Sequence, residues 1–269
     1  MGLTRAFAVF LRQVFLFKSN PTRLTSLFLW LIIDIVQWGF ISKYLGSIGQ
    51  STFGLITAIL GAIVLWGFVV RIQQGIMTSF LEDVWSQNFV NFFASPLTIV
   101  EYLSGLVITS IVTSLAGFIM VVIIAGVAFG YNVFTVGLML IPFMAILLIF
   151  AMAMGIFISG VIFRLGPSAE WLGWPIPLVL SIFSCVFYPV TTLPTALQVI
   201  ARLIPASYVF ESLRHLISAR AISPGLGSHL LLGALLALVY LAIAYMFFIR
   251  VYRRNLENGT IARFSAEAW

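Results

Sequence analysis

Hydrophobic residues run along this chain in long blocks that few charges interrupt. Six of the blocks are long enough to cross a bilayer as helices, because one crossing needs about 20 mostly apolar residues. They cover residues 24–45, 53–70, 103–129, 133–163, 171–188 and 230–251. The pattern predicts an all-α polytopic membrane protein, with a single transmembrane domain over residues 1–269 and six transmembrane helices. Pro142 predicts a kink in the fourth span, and Pro175 and Pro177 disturb the start of the fifth.

The first 20 residues have a different pattern from the spans. Arg5, Arg12 and Lys18 are spread among apolar residues, so this stretch is interrupted by charge too often to cross the membrane. Charged side chains at such positions reach lipid head groups while the apolar side enters the bilayer. We therefore expect residues 1–20 to form an interfacial N-terminal helix.

One long segment between two spans, residues 79–96, is too polar to lie in lipid. It begins with paired carboxylates, continues with residues at helical spacing, and ends at Ser95-Pro96, where proline disfavours further helix. We expect an amphipathic cytoplasmic helix that docks a soluble partner through polar groups and an aromatic anchor. The candidate docking residues are Glu82, Asp83, Trp85, Asn88, Asn91, Ser95 and Pro96.

Residues 193–219, between the last two predicted spans, contain two short amphipathic segments separated by Pro205. Each segment is too short to cross the membrane, so we expect a re-entrant or interfacial helical hairpin at the external face. Four residues near it are candidates for an external gate: Tyr188, Pro189, Tyr208 and Phe210. The tail, residues 252–269, is polar and is expected to be coil or short structure in the cytoplasm.

Composition excludes a water-soluble fold, because 62% of the 269 residues are hydrophobic and only 8% are charged. The net charge of +6 indicates orientation rather than nucleic-acid binding in so apolar a chain. Ten of the fourteen Lys and Arg residues lie on the side of the termini if six spans are formed. Both termini are therefore predicted to be cytoplasmic, in a bacterial inner membrane.

Two histidines and one cysteine, all far apart, give no metal site, and no cofactor is expected in this chain.

Asp34 is the only acidic residue deep inside a predicted span. A charge at mid-depth costs about 2.5–3.5 kcal/mol on insertion scales, so Asp34 needs a partner, a cavity or a proton. Trp30, Gln37 and Trp38 share its helix face. Two interpretations are open: this stripe faces a translocation path or a second copy, or Asp34 makes a hydrogen bond inside the bundle. Arg71 is expected at the cytoplasmic edge of the second span, where it snorkels to head groups.

The order of these parts resembles the permease subunits of type-2 ABC exporters, over essentially the whole chain. Two stretches carry the local likeness: FLEDVWSQNFVNFFASPLTIVEYLSG at residues 80–105 and VFYPVTTLPTALQVIARLIPASYVFESLR at residues 186–214. The resemblance implies a path formed with a second copy or a related permease, and two copies of a separate soluble ATPase. ATP and Mg²⁺ would then be bound by the ATPase. This chain indeed has no G-x-x-x-x-G-K-[ST] loop to bind phosphates.

An exporter of this kind would carry an amphipathic lipid, a glycolipid or polysaccharide, or a drug-like compound. The main alternative is an ion-coupled secondary transporter that uses Asp34, although such proteins usually have several titratable groups at mid-depth. A membrane enzyme acting on lipid is weaker still, since Glu211, Arg214 and His215 are the only external candidates. A permease-like scaffold without transport is the third alternative.

Overall fold

The structure is a computed structural model that describes residues 2–19, 21–48, 52–86, 88, 91–92, 95–219 and 225–258. Within these ranges it is helical and contains no β-strand, which confirms the predicted all-α class. Its α-helices there are α1 (Gly2–Ser19), α2 (Pro21–Ile48), α3 (Thr52–Trp85), α4 (Ile99–Phe129), α5 (Leu140–Leu165), α6 (Pro175–Phe183), α7 (Thr195–Leu203), α8 (Pro205–Ala219) and α9 (Leu226–Glu257). Short 3-10 helices cover Val133–Met139, Pro167–Gly173 and Val190–Thr192.

Five helices of the described ranges are long and apolar enough to cross a membrane. They are Phe28–Ser47, Ala58–Trp85, Ile99–Phe129, Val133–Leu165 and Leu226–Glu257. Length and hydropathy of this kind are typical of membrane-spanning helices. The prediction of a polytopic membrane protein is therefore confirmed.

The expected fifth span, residues 171–188, is not a continuous helix. A 3-10 helix ends at Gly173, and Pro175 then begins α6, which has only nine residues. An α-helix of that length is about 13 Å long, less than half of the hydrocarbon core. Proline is favourable in the first turn of a helix, so Pro175 marks a helix start instead of disturbing one. Cys185, with φ 53°, turns the chain after α6. Apolar length alone did not predict this break.

The second span is longer than the sequence predicts. α3 continues without a break from Thr52 to Trp85, whereas the pattern predicts an end at residue 70 and a separate helix from residue 79. The polar residues after position 70 suggested the end. One of them, Gln73, is buried instead, and its side-chain amide donates a hydrogen bond of 3.4 Å to the carbonyl of Gly173. Glu82, Asp83 and Trp85 therefore belong to the last turn of a spanning helix.

The fourth span is bent at Gly137 and not at Pro142. Gly137 has φ 64° and ψ −147°, a left-handed conformation that favours glycine, and it lies inside the 3-10 helix before α5. Pro142 falls in the first turn of α5, where a missing backbone N–H leaves no hydrogen bond unmade. The predicted kink at Pro142 is wrong for this reason.

The core is formed where α5 packs between α3 and α9. Phe80, Phe163 and Phe248 come from these three helices, and their ring centroids are 5.5–5.9 Å apart. A Cβ on Gly155 of α5 would lie 2.9 Å from Ile76, so a side chain there would force α3 and α5 apart. α4 packs on α3, and α1 packs on α4. This arrangement places the last turn of α3 beside α1.

The segment expected to form an external hairpin contains α7 and α8, which meet at Ile204. α8 packs against α9 and α5. The re-entrant or interfacial position of the pair stays a prediction. α9 continues to Glu257, so the first part of the expected coil tail is helical. The rest of that tail lies outside the described residues.

Candidate functional site

α1 lies directly along the start of α4. Ala6 and Val9 are the buried apolar residues of α1, and they face Gly105. A Cβ at Gly105 would lie 2.5 Å from the Cβ of Val9 and 2.9 Å from the carbonyl oxygen of Ala6. Such distances are too short for any side chain, so glycine permits this close contact between the helices. α1 is therefore held against the bundle along one face.

A buried cluster of polar groups joins α1, α3 and α4. Arg12 of α1 forms a salt bridge with Asp83 of α3, whose side chain is 0% exposed. The hydroxyl of Tyr102 in α4 donates a hydrogen bond of 2.8 Å to the second carboxylate oxygen of Asp83. The guanidinium of Arg12 also lies 5.0 Å from the ring centroid of Phe92. Both oxygens of Asp83 are thus used inside the chain.

The charge of Arg12 is stabilised by this environment. Burial lowers the pKa of Arg12, but the hydrogen bond and the charge of Asp83 raise it, and the net direction is upward. A buried carboxylate without a partner costs several kcal/mol, roughly, so the pair is needed once Asp83 is buried. The cluster holds the N-terminal helix to the end of α3.

The connection from α3 to α4 is attached to α1 a second time. Arg5 donates a hydrogen bond of 2.6 Å to the carbonyl of Pro96 and lies 3.6 Å from a carboxylate oxygen of Glu101. Glu101 and Thr98 cap α4 reciprocally: the Thr98 N–H donates to Glu101 at 2.8 Å, and the Glu101 N–H donates to Thr98 at 3.3 Å. This capping box fixes where α4 begins.

The candidate docking residues divide into buried and accessible groups. Asp83 is buried and paired, so it is not available to a partner, and that part of the prediction is wrong. Trp85 is 59% exposed at the end of α3. Asn91, Ser95 and Pro96 are exposed, and Glu82 and Asn88 are partly exposed. The amide of Asn91 donates a hydrogen bond of 3.1 Å to the side chain of Asn88. Their role in docking stays a prediction.

The residues of the stripe predicted on α2 also fall into two groups, three that are exposed and one that packs inside the chain. Trp30, Asp34 and Gln37 are exposed on the surface of the chain, with Trp30 at 63%. Trp38 instead stacks on Phe187, with ring centroids 4.9 Å apart. In the described part of the chain, no hydrogen bond or ion pair of Asp34 is found. The structure therefore gives no support to a hydrogen bond that holds Asp34 inside the bundle.

Of the four candidate gate residues, one is a core residue. Phe210 is fully buried, and its ring lies edge-on to Trp66 at 6.0 Å, so it is unavailable as a gate surface. The hydroxyl of Tyr188 donates a hydrogen bond of 2.8 Å to Ile182, and that of Tyr208 donates one of 2.9 Å to Arg202. Pro189 is exposed. The gating role of Tyr188, Pro189 and Tyr208 stays a prediction.

Arg214 and Glu211 hold the turn that follows α6, which the sequence did not reveal. The guanidinium of Arg214 donates hydrogen bonds of 2.7 and 2.8 Å to the carbonyl of Cys185 and one of 3.3 Å to that of Val186. A carboxylate oxygen of Glu211 accepts a bond of 3.4 Å from the N–H of Val190. In the sequence the two residues were only external candidates for a membrane enzyme. They instead connect α8 to carbonyl and N–H groups 21 to 29 positions away.

Arg12 and Tyr102 were also missed as partners of Asp83. One signal was present in the sequence: Asp83 stands between the apolar residues Leu81 and Val84, on the side of the helix that proves to be buried. A buried carboxylate requires a cation or hydrogen-bond donors. No rule of local spacing selects Arg12, which is 71 positions away. Among the described residues, no three His, Cys, Asp or Glu side chains are grouped so as to hold a metal ion.

Long apolar helices, an N-terminal helix held to the last turn of α3, and a short helical pair ahead of the last helix define a polytopic membrane protein. Residues 4–217 match the family described as ABC-2 type transporter. This match covers well over half of the chain, which therefore belongs to the ABC-2 type transporter family. No curated protein matches the sequence. The resemblance to ABC permeases is confirmed, and the chain is a transmembrane permease component of an ABC transporter. The family assignment disfavours the ion-coupled secondary transporter.

Proposed function

We propose that this chain is the permease subunit of an ATP-driven exporter. In this proposal two copies, or one copy and a related permease, form a path across a bacterial inner membrane. A separate soluble ATPase, present in two copies, binds ATP and Mg²⁺ and supplies the energy. Both termini lie in the cytoplasm, and the cargo is an amphipathic lipid, a glycolipid or polysaccharide, or a drug-like compound.

The observation that carries the proposal is the exposed Trp85 at the end of a braced helix. A large aromatic residue with 59% exposure is a suitable anchor for a groove on a partner. Two residues earlier, Asp83 is tied to Arg12 and Tyr102. A force applied at Trp85 is therefore transferred to α1 and α4 as well as to α3.

The continuity of α3 supports transmission of that force across the membrane. The helix has 34 residues and is therefore about 51 Å long. Helices move as rigid bodies in transport proteins of this kind of architecture, because packed helices do not bend freely. Movement of the last turn would consequently shift the middle of α3, where Trp66 packs on Phe210 of α8.

The exposed stripe on α2 supports a path or contact formed with a second permease. Asp34 and Gln37 are exposed in a helix that is apolar enough to cross the membrane. Contact of a carboxylate with acyl chains is costly. A second permease or a hydrated path beside α2 removes that contact.

The experiment is purification of the detergent-solubilised chain from its native membranes, with identification of bound proteins by mass. We expect a soluble ATPase carrying a G-x-x-x-x-G-K-[ST] loop, at a one-to-one ratio. Trp85→Ala is expected to reduce its recovery by an order of magnitude or more, as for loss of an aromatic anchor of about 2 kcal/mol. The chain purified without the ATPase is expected to hydrolyse no ATP.

The matched control is Phe134→Ala. Phe134 is an exposed aromatic residue in the connection between α4 and α5, at the opposite end of α4 from Glu101. Its substitution is expected to leave ATPase recovery unchanged. Equal recovery with Trp85→Ala and wild type would refute docking at Trp85, and ATP hydrolysis by the isolated chain would refute the separate ATPase.

A further inference from the structure

One exposed face of α9 changes from apolar to basic along the helix. Its residues follow one another at intervals of three or four, so they lie on one side of the helix. The apolar part of the face, with side chains 48–53% exposed, consists of Leu232, Leu235, Val239, Ile243 and Met246. The next exposed residues on the same side are Arg250, Arg253 and Arg254. We call these three residues the arginine cluster.

The charge-free length of α9 matches the thickness of a bilayer core. No charged residue lies between His229, in the first turn, and Arg250. From position 229 to position 250 the helix rises about 31 Å, and the hydrocarbon core of a bilayer is about 30 Å thick. α9 is also one of the helices that are long and apolar enough to cross a membrane. A crossing by α9 therefore places the arginine cluster in the head-group region of one leaflet.

The arginine cluster lies at the same end of the bundle as the last turn of α3. Phe248 of α9 packs edge-on to Phe80 of α3, with ring centroids 5.8 Å apart. The side-chain amide of Asn255, next to the cluster, donates a buried hydrogen bond of 2.6 Å to the carbonyl of Phe163 in α5. The residue after Phe163 is Arg164, which is exposed and adds a fourth cation at this end. The end of α9 is thus fixed to the end of α5.

The charges of the arginine cluster are not neutralised within the part of the chain that the structure describes. No ion pair and no side-chain hydrogen bond of the three arginines is found there, and Glu257, one turn further on, forms no ion pair with them. Arg5 and Arg12 of α1, by contrast, each have a carboxylate partner. Like charges three and four residues apart on a helix repel each other. An anionic partner from outside the described chain would relieve this repulsion.

We propose that the arginine cluster binds the phosphate groups of anionic membrane lipids, with the acyl chains lying along the apolar part of the same face. A guanidinium donates two parallel hydrogen bonds to a phosphate, and the three guanidiniums begin one turn beyond Met246. A lipid presents an anionic group and an apolar chain in the same order as this face does, which favours a lipid over an acidic protein surface. The inference goes beyond the proposed function, because it depends on neither the ATPase nor the cargo.

The test is native mass spectrometry of lipid binding to the purified chain in detergent. The probes are dioleoyl phosphatidylglycerol, which is anionic, and dioleoyl phosphatidylcholine, which has the same acyl chains but no net charge. Wild type is expected to bind phosphatidylglycerol about tenfold or more tightly than phosphatidylcholine, since each arginine near an anionic head group contributes about fivefold. Arg253→Gln should weaken phosphatidylglycerol binding about fivefold and leave phosphatidylcholine binding unchanged. Equal binding of the two lipids by wild type would overturn the proposal.

Arg202→Gln is the matched control. Arg202 is an exposed arginine near the opposite end of α9, because Tyr208 bonds to its carbonyl and packs on His229. Its substitution removes the same charge and should leave the preference for phosphatidylglycerol unchanged. A loss equal to that in Arg253→Gln would show that only the net charge matters, and would refute a site at the cluster.

Two triple variants separate a charged site from a change in the fold. With Arg250→Gln, Arg253→Gln and Arg254→Gln combined, phosphatidylglycerol binding should fall about tenfold or more. Substitution of the same three arginines by lysine keeps the charge, so most of the preference should remain. Loss of the preference in the lysine variant as well would trace the effect to the fold and not to the charges, against the proposal.

Two further measurements separate a lipid from other anionic partners. Glycerol phosphate, which has the anionic group without acyl chains, should not displace phosphatidylglycerol at constant ionic strength. Full displacement would indicate a site for small anions and would overturn the assignment to lipid. The triple glutamine variant should recover the soluble ATPase as wild type does. Loss of the ATPase with unchanged phosphatidylglycerol binding would assign the arginines to that protein instead.

The lipid proposal and the exporter proposal fail separately. Lipid binding is measured on the chain without the ATPase, so a negative result leaves the comparison of wild type with Trp85→Ala untouched. Conversely, loss of the ATPase assignment would not alter a charge-dependent preference for phosphatidylglycerol.

Discussion

Arg12 and Asp83 form a buried salt bridge between helices that the sequence separates by 71 positions. The carboxylate is fully buried, and Tyr102 donates a second bond to it. Surface ion pairs contribute little to stability, but a buried charge that loses its partner is costly. Arg12 is therefore the residue that fixes the N-terminal helix to the last turn of α3.

Removal of one member of this pair should destabilise the protein strongly. Arg12→Gln leaves Asp83 buried without its cation, and we expect the free energy of unfolding to fall by roughly 2–4 kcal/mol, since Arg12 itself stays partly exposed. Chemical unfolding of the purified chain in detergent measures the change. The double variant Arg12→Gln, Asp83→Asn should lose less than the sum of the two single variants.

Arg5→Gln is the matched control for that experiment. It removes an arginine from the same helix, but Arg5 is 38% exposed and its partner Glu101 is 14% exposed, whereas Asp83 is fully buried, so the pair should contribute less. A loss of stability in Arg5→Gln equal to that in Arg12→Gln would contradict the special role of the buried pair.

The contact between α1 and α4 depends on the absence of a side chain at Gly105. Gly105→Ala places a methyl group 2.5 Å from Val9, and overpacking of this size costs about 1–3 kcal/mol. Gly227→Ala is the control, because a Cβ at Gly227 meets no atom within 4 Å. Thermal unfolding should show a lower midpoint for Gly105→Ala and no decrease for Gly227→Ala. Equal midpoints would mean that α1 does not pack closely on α4 in the membrane.

Arg214 should keep the single cysteine of the chain inaccessible. Cys185 is fully buried, and its carbonyl accepts two bonds from Arg214. Arg214→Gln releases the turn after α6, and we expect maleimide to label Cys185 several-fold faster. A nearby cation favours the reactive thiolate, so removal of the charge alone would slow the labelling. Faster labelling therefore reports opening of the turn.

Arg202→Gln is the control for the labelling experiment. Arg202 is exposed on the neighbouring helix α7, and its side chain does not hold the turn at Cys185. Its substitution should leave the rate unchanged. Slower or unchanged labelling in Arg214→Gln would show that other contacts are sufficient to close the turn.

Phe210 should behave as a core residue and not as a gate. Phe210→Ala removes a fully buried ring that contacts Trp66, and we expect a loss of about 3–5 kcal/mol in the free energy of unfolding. Phe210→Leu retains most of the buried volume and should recover the larger part of that loss. A Phe210→Ala protein of normal stability would restore Phe210 as a gate candidate.

The general architecture was predictable because it depends on local composition. Apolar blocks of more than 20 residues predicted α2, α4 and α9, and the charges within the first 20 residues separated α1 from the spans. The extent of α3 was not predictable. Gln73 suggests a helix end in the sequence, whereas in the structure it is buried and bonded to Gly173, 100 positions away.

The candidate docking residues were predicted only in part, because local composition does not show which polar side chains become buried. Trp85 was selected as the aromatic anchor of the helix expected over residues 79–96, and its exposure agrees with that choice. Asp83 looks equally accessible in the sequence, because its apolar neighbours Leu81 and Val84 are only a weak sign of burial and its partner Arg12 lies 71 positions away. The break at Cys185 was hidden by apolar composition: residues 171–188 meet the length criterion, although Pro175 begins a new helix there.

The continuity of α3 also fixes a rotational relation between Arg71 and Trp85. Each residue of an α-helix turns the following side chains by about 100°, so one residue inserted between these positions would rotate Trp85 away from its present direction. Seven inserted residues would restore the direction to within about 20° but lengthen the helix by about 10 Å. Insertions and deletions between positions 71 and 85 are therefore expected to be tolerated far less than substitutions, since any of them changes the angle or the reach of Trp85, the proposed docking residue.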